Sequence, residues 1–261
     1  MTADFLAWFC TPISGAAEHH LPTWAAWHGR AMVFAWGIAF PVGVLVARYF
    51  KVLPGQAWPD ELDNKTWWHW HRALQGTGIL VMTVGCLLAL GHAHGTSGLA
   101  QLHRWIGWVL VVSGWLQVLS GVFRGSKGGG ELARGYVDAL GTGLRGDHYD
   151  MTHRRKAFEC LHKLLGVAAL LVAVVAISLG LILADAPRWM AVVLSTWWCL
   201  LLSLTIRWQC AGRCIDTYQA IWGPDAVHPG NGMPPIGFGV SRYSRESWRL
   251  RAEGATRRRK K

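Results

Sequence analysis

Leu161-His162-Lys163-Leu164-Leu165-Gly166 leads into Val-Ala-Ala-Leu-Leu-Val-Ala-Val-Val-Ala-Ile-Ser-Leu-Gly-Leu-Ile-Leu, a run that ends at Ala184. From Leu164 to Ala184 there is no Asp, Glu, Lys or Arg. A helix crossing a bilayer needs ~20 mostly apolar residues, so this stretch is long enough to cross. Four further runs share its character: Ala31–Ala47, Ala73–Gly91, Trp105–Phe123 and Trp189–Ile206. A soluble five-helix bundle would carry polar outer faces, and these runs have almost none. Charged residues make up 16% of the chain, against ~25% in soluble domains. The fold expected is therefore all-α: an integral membrane helical bundle of five transmembrane helices.

The basic residues orient it. With five spans, the N-terminus, the loop near His92–His103 and the link near Asp185–Arg188 share one side. Only Arg30, Arg104 and Arg188 fall there, and the other 23 of 26 basic residues fall opposite. The positive-inside rule then predicts N-out/C-in. The formal charge of +11 follows from this asymmetry and calls for no nucleic-acid partner. The closing Arg257-Arg258-Arg259-Lys260-Lys261 suits a topology anchor or an anionic-lipid contact. Phe5–Ala17 is apolar but short, is broken by Pro12 and lacks a basic n-region. It makes a poor signal peptide and suits an interfacial segment.

The domain organisation expected is an outer segment at 1–27, a membrane domain at 28–207 and a basic cytoplasmic tail at 208–261. A long cytoplasmic connection at about 124–160 interrupts the membrane domain. Six scattered cysteines include no Cys-x-x-Cys-His, so no covalent c-type haem is expected. Cys210 and Cys214 share a helix face by spacing alone. The clustered tryptophans, Trp24, Trp27, Trp67, Trp68, Trp70, Trp105, Trp108 and Trp189, are explained by an aromatic belt.

Four histidines stand at the entrances of four successive runs: His28, His71, His103 and His162. Alternating span direction brings His28 and His103 to one face and His71 and His162 to the other. Imidazole is a good haem-iron ligand, and two fill both axial positions. Leu102-His103-Arg104-Trp105-Ile106-Gly107 repeats the Leu-His-basic-x-x-Gly pattern of Leu161–Gly166. Gly107 and Gly166, four residues after their histidines, leave room for a flat macrocycle or serve ordinary small-residue packing. Arg30, Arg72, Arg104 and Lys163 lie next to or near the histidines and suit anionic propionates or interfacial snorkelling. The metal ligands expected are thus His28, His71, His103 and His162, with no separate catalytic residue. His19, His20, His92 and His94 suit surface roles, His69 faces elsewhere, and His148, His153 and His228 suit loops.

His28-Gly-Arg-Ala-Met-Val-Phe-Ala-Trp-Gly37, followed by Pro41 and Ala47-Arg48-Tyr49, resembles the first haem helix of the cytochrome b561 superfamily, ferric-reductase type. His71-Arg-Ala-Leu-Gln75 resembles the second, and the two Leu-His motifs resemble the third and fourth. The resemblance covers about residues 28–184 and implies two non-covalent b haems with ligand pairs His28/His103 and His71/His162. It also implies transmembrane electron transfer. Five spans are counted here, where many members have six, and no DOMON-like domain is expected.

The function expected is electron transfer through two haem b groups. It would link a cytoplasmic or membrane reductant to an outer partner: a quinone, small redox protein, ferric chelate or superoxide. The rival is a haem-binding anchor or electron-wire subunit of a larger redox complex. Partners expected are membrane lipid and, beyond it, a homodimer mate or complex subunits. The location expected is a bacterial cytoplasmic (inner) membrane. A haem-free transporter ranks last, because the spans hold no charged group for ion coupling.

Overall fold

The computed structural model describes residues 2–17, 20–92, 97–128 and 146–259. His19, His94 and the middle of the long connection (129–145) lie outside the described residues. Regular structure among the described residues is helical, and the only bridges there are the isolated pairs Pro12–Pro187 and Ile215–Ser241. In chain order the helices are α1 (Thr2–Cys10), α2 (Thr23–Met32), α3 (Phe40–Tyr49), α4 (Thr66–Leu90), α5 (Gly98–Val122), α6 (His153–Leu183), α7 (Arg188–Cys210), α8 (Thr217–Trp222) and α9 (Arg245–Arg259). A π-helical segment, Val33–Ala39, fuses α2 and α3 into one span.

Five helices are long and apolar enough to cross a membrane: Thr23–Tyr49, Thr66–Leu90, Gly98–Val122, His153–Leu183 and Arg188–Cys210. Each contains one of the five runs, three of them less one residue at the far end, and each extends beyond its run at the start. The extension is largest in α6, which begins at His153 inside the stretch expected to be a connection. Thr152 explains the start: its Oγ accepts from Arg155 N at 3.3 Å and donates to Asp147 Oδ1 at 2.8 Å. That is an N-cap, which satisfies one of the orphan amides of the first turn.

The described residues fall into two compact units. The first comprises 1–45, 70–118 and 165–207. Its core is Ala35, Trp36, Phe40, Ile79, Met82, Leu110, Ala169, Ala173, Ala176, Ile177 and Leu194, so every span contributes. Large apolar side chains face outward, among them Leu80, Trp105 and Leu171 at 66–72% exposed, as a lipid solvent requires. Glycine permits the tightest helix contacts: a methyl at Gly78 would overlap the Phe40 ring.

The π segment has a local cause. Pro41 offers no N–H to the Gly37 carbonyl four residues back, and its ring crowds that oxygen. The Trp197 indole N–H donates to Gly37 O instead, at 2.8 Å. Gln75 Nε2 donates to Phe40 O at 3.1 Å. In hydrocarbon an unmet carbonyl costs several kcal/mol, so these donors make the bend tolerable. Trp197→Phe is expected to lower stability by about 1–3 kcal/mol, read as the thermal unfolding midpoint in detergent. An unchanged midpoint would mean that Gly37 O finds another donor.

The second unit comprises 46–69, 119–164 and 208–261. Its apolar core is Val52, Trp58, Ile215 and Ala220, flanked by Tyr243 and Trp248. The segment from 208 onward is thus woven into a folded unit with two earlier segments. All the buried polar or charged side chains among the described residues belong to this unit: Lys51, His148, Arg155, Glu159, Asp216, Thr217 and Gln219. Lys51 Nζ donates to Ile215 O at 3.0 Å, and burial followed by the Lys163 charge brings its pKa down to about 8.

His148 is 3% exposed and packs edge-on against Tyr218, ring centres 5.8 Å apart. Burial first, and the Arg155 charge second, hold its imidazole down at about 3. The unfolded chain, at ~6.5, binds this proton before the folded one does. Stability from this group is therefore present above ~6.5 and is lost as pH falls towards 3. Acidifying from pH 6.5 to 4.5 is expected to cost on the order of 2–3 kcal/mol through His148. His148→Phe should flatten that part of the melting-versus-pH curve, and an unaltered slope would exclude His148 as its source.

Candidate functional site

His28 lies on α2 and His103 on α5, both in the first unit. The Nδ1–H of His28 donates to Gly85 O at 2.8 Å, and that of His103 donates to Ala176 O at 3.1 Å. Holding Nδ1 in this way fixes the tautomer and presents Nε2 for ligation. The two ring centres are 6.2 Å apart, with planes at 80°. Two imidazoles on opposite sides of one metal ion, each bonded at ~2 Å, place their ring centres ~6–6.5 Å apart. The donor set and its spacing therefore fit a bis-histidine haem iron.

Small residues make these contacts reachable. A methyl at Gly85 would stand 2.8 Å from Ala31 Cβ, so the bare glycine lets α4 approach α2 until Gly85 O meets His28. A methyl at Gly180 would stand 3.3 Å from His103 Cε1. One turn after His103, a methyl at Gly107 would meet nothing within 4 Å, so open space lies beside the helix there.

His71, on α4, is half-buried, and its Nδ1–H donates to Gly43 O at 3.0 Å. A methyl at Gly43 would stand 2.5 Å from Gln75 Nε2, so here too a glycine permits the approach. In the second unit, His162 on α6 shares a hydrogen bond with Ser120 Oγ through Nδ1 at 3.2 Å. Each of the four histidines thus has Nδ1 engaged, three by backbone carbonyls and one by a hydroxyl. A methyl at Gly166 would lie 3.4 Å from Gln117 Nε2, an ordinary packing contact.

The basic neighbours differ among themselves. The Arg30 guanidinium stands 5.0 Å from the centre of the Trp27 ring, in cation–π contact. Arg72 and Arg104 are exposed. Lys163 Nζ donates to Glu159 Oε1 and to Ile236 O, each at 2.6 Å, so it serves the second unit's own structure. Of the lesser histidines, His92 stacks on Trp24 with ring centres 5.6 Å apart, and its Nδ1–H donates to Leu88 O. No group of three or more His, Cys, Asp or Glu gathers as a metal centre among the described residues. Sequence reasoning missed the partners Gly43, Gly85, Ala176 and Ser120. A carbonyl carries no residue signature, and only the recurrence of small residues hinted at the close approaches.

No family model matches the chain, and no solved structure matches it. Curated proteins do. It is 28% identical over 169 residues to a cytochrome b561, DM13 and DOMON domain-containing protein of Arabidopsis thaliana, covering 64% of this chain and 16% of that one. It is 28% identical over 156 residues to a putative ferric-chelate reductase 1 of Xenopus laevis, covering 59% and 22%. With ferric-chelate reductase 1 of Homo sapiens it shares 29% over 154 residues, again 59% and 22%. The chain spans between about a sixth and a quarter of the length of the curated relatives it matches. Its homologues are cytochrome b561/DOMON and ferric-chelate reductase proteins, and they support kinship with the cytochrome b561 superfamily.

Proposed function

We propose that this chain carries electrons across a membrane through two bis-histidine b haems, ligated by His28/His103 and His71/His162. The observation that carries the proposal is the 6.2 Å separation of the His28 and His103 rings, each with Nδ1 tied to a carbonyl. The second pair rests on the repeated Leu-His-basic-x-x-Gly motif and on the alternation of span direction. Haem held by these histidine pairs would supply a one-electron carrier suited to outer-sphere transfer.

The chain's own residues supply position and environment. The carbonyls of Gly85 and Ala176 hold the imidazoles in one tautomer and raise their basicity. The apolar core around Trp36, Phe40 and Met82 excludes water and ions from the path. Arg30, Arg72 and Arg104, next to or near the histidines in sequence, are the cations proposed to meet the propionates. With 23 of 26 basic residues on one side, the orientation is N-out/C-in, and a bacterial cytoplasmic membrane suits the composition. Relatives named as ferric-chelate reductases favour a ferric chelate as outer acceptor, with a quinone, small redox protein or superoxide as alternatives.

A second reading has its own support. The matched stretch makes up only about a sixth to a quarter of these relatives, and several are named for a DOMON domain. The chain would then be the haem-bearing wire of a larger redox complex, or work as a homodimer, with substrate chemistry supplied elsewhere. Pyridine haemochrome analysis of the purified chain tests the common core: two b haems per chain are expected, and far fewer would refute it. Ferric-chelate reduction by the isolated, pre-reduced chain separates the two readings.

A further inference from the structure

The loop Pro234-Pro235-Ile236-Gly237-Phe238-Gly239 is held by its backbone at three points. Lys163 Nζ donates to Ile236 O at 2.6 Å, Arg48 Nη2 to Phe238 O at 2.7 Å and Gln209 Nε2 to Gly239 O at 2.6 Å. All of these residues belong to the second unit. The three side chains come from three different spans and mark one level of each. Arg48 lies one residue before the end of α3, Gln209 one before the end of α7, and Lys163 directly before the apolar run that starts at Leu164.

Gly237 and Gly239 take φ values of +113° and +63°, the left-handed region that favours glycine. Both approach their anchors closely. A methyl at Gly237 would lie 3.2 Å from Lys163 Cδ, and one at Gly239 would lie 2.6 Å from Gln209 Nε2. Between these two glycines Phe238 projects at 91% exposure, the highest of the exposed large hydrophobics. A loop pinned this firmly holds the ring outward rather than leaving it there by fraying.

The level of the loop says what the ring meets. Leu161 and Leu164, on either side of Lys163, are 55% and 63% exposed, as lipid-facing residues of a span are. Phe238 thus stands where a span passes from hydrocarbon into headgroups, a depth that aromatic rings favour. The loop itself carries no charge, while its anchor Arg48, whose guanidinium donates to neutral oxygens of Gln209 and Phe238, puts positive charge at the same level, which suits phosphate headgroups.

We propose that Ile236–Gly239 is an interfacial anchor: Phe238 inserts among the acyl chains of the leaflet at the Arg48 end of the first span and ties the second unit to the bilayer. This does not depend on the haem assignment. The test uses the full chain in phosphatidylcholine/phosphatidylglycerol nanodiscs, with photoreactive benzoylphenylalanine in place of Phe238 or, as a comparison, of Val227, which is 78% exposed. After irradiation, lipid adducts at position 238 should exceed those at 227 several-fold by mass spectrometry. Equal yields at the two positions, or cross-links from 238 to a polypeptide in place of lipid, would overturn the proposal. As a second measure, Phe238→Asp should speed tryptic cleavage at Arg242 and Arg245 in nanodiscs several-fold, and Phe238→Leu should not. An Asp variant cleaved at the wild-type rate would refute the anchoring role.

Discussion

His103→Ala is expected to reduce the haem content from two per chain to one. His103 provides one of two rings poised 6.2 Å apart, the other being His28. Losing the side chain would remove one of the two proposed iron ligands and also leave Ala176 O without the Nδ1–H it accepts at 3.1 Å. Disturbing a partner that merely orients a ligand costs ~10–100-fold in metal affinity, and deleting the ligand itself should exceed that. Pyridine haemochrome analysis gives the ratio, and a potentiometric titration should then show one component in place of two. His28→Ala should behave alike. Loss of both haems from either variant would show that the two sites assemble together and would refute independent pairing.

Asp216→Ala is expected to destabilise the second unit by about 3–5 kcal/mol, because it strands a charge partner in a buried setting. Asp216 is 2% exposed; one carboxylate oxygen caps the start of α8 by accepting from Tyr218 N, and the other accepts from Arg242 Nε. Arg242 also donates to the carbonyls of Gly230, Asn231 and Met233. One carboxylate therefore orients the guanidinium that gathers the 230–233 turn. Thermal unfolding and tryptic sensitivity at Arg242 and Arg245 would report the loss. Asp216→Asn keeps the cap oxygen and should recover part of it. A fully stable alanine variant would show that Arg242 is held by the carbonyls alone.

The membrane spans were legible because lipid imposes one rule on every residue of a crossing helix, and five uncharged runs obey it. Of the histidines, parity of span direction puts His28 with His103 without knowledge of packing, and their rings do stand together, 6.2 Å apart. Two features were hidden for definite reasons. The start of α6 reads as polar connection, since His153, Arg154, Arg155 and Lys156 break the apolar run; only Thr152, a residue type favoured at N-caps, marked the boundary. The second unit was invisible as a unit. Its cohesion comes from long-range donations to bare carbonyls, such as Lys51 to Ile215 O and Arg213 to Tyr49 O and Val52 O. A carbonyl belongs to every residue, so sequence cannot say which one a cation will find.

The donation from Trp197 to Gly37 O gives α7 a standing that its lack of a haem-ligand histidine would not suggest. A minimal version of this protein that kept only the four histidine-bearing helices would take from the oxygen that Pro41 abandons the indole N–H it accepts. The fifth helix is a splint for a break in the first, and truncation before Arg188 should cripple insertion of a helix more than a hundred residues upstream.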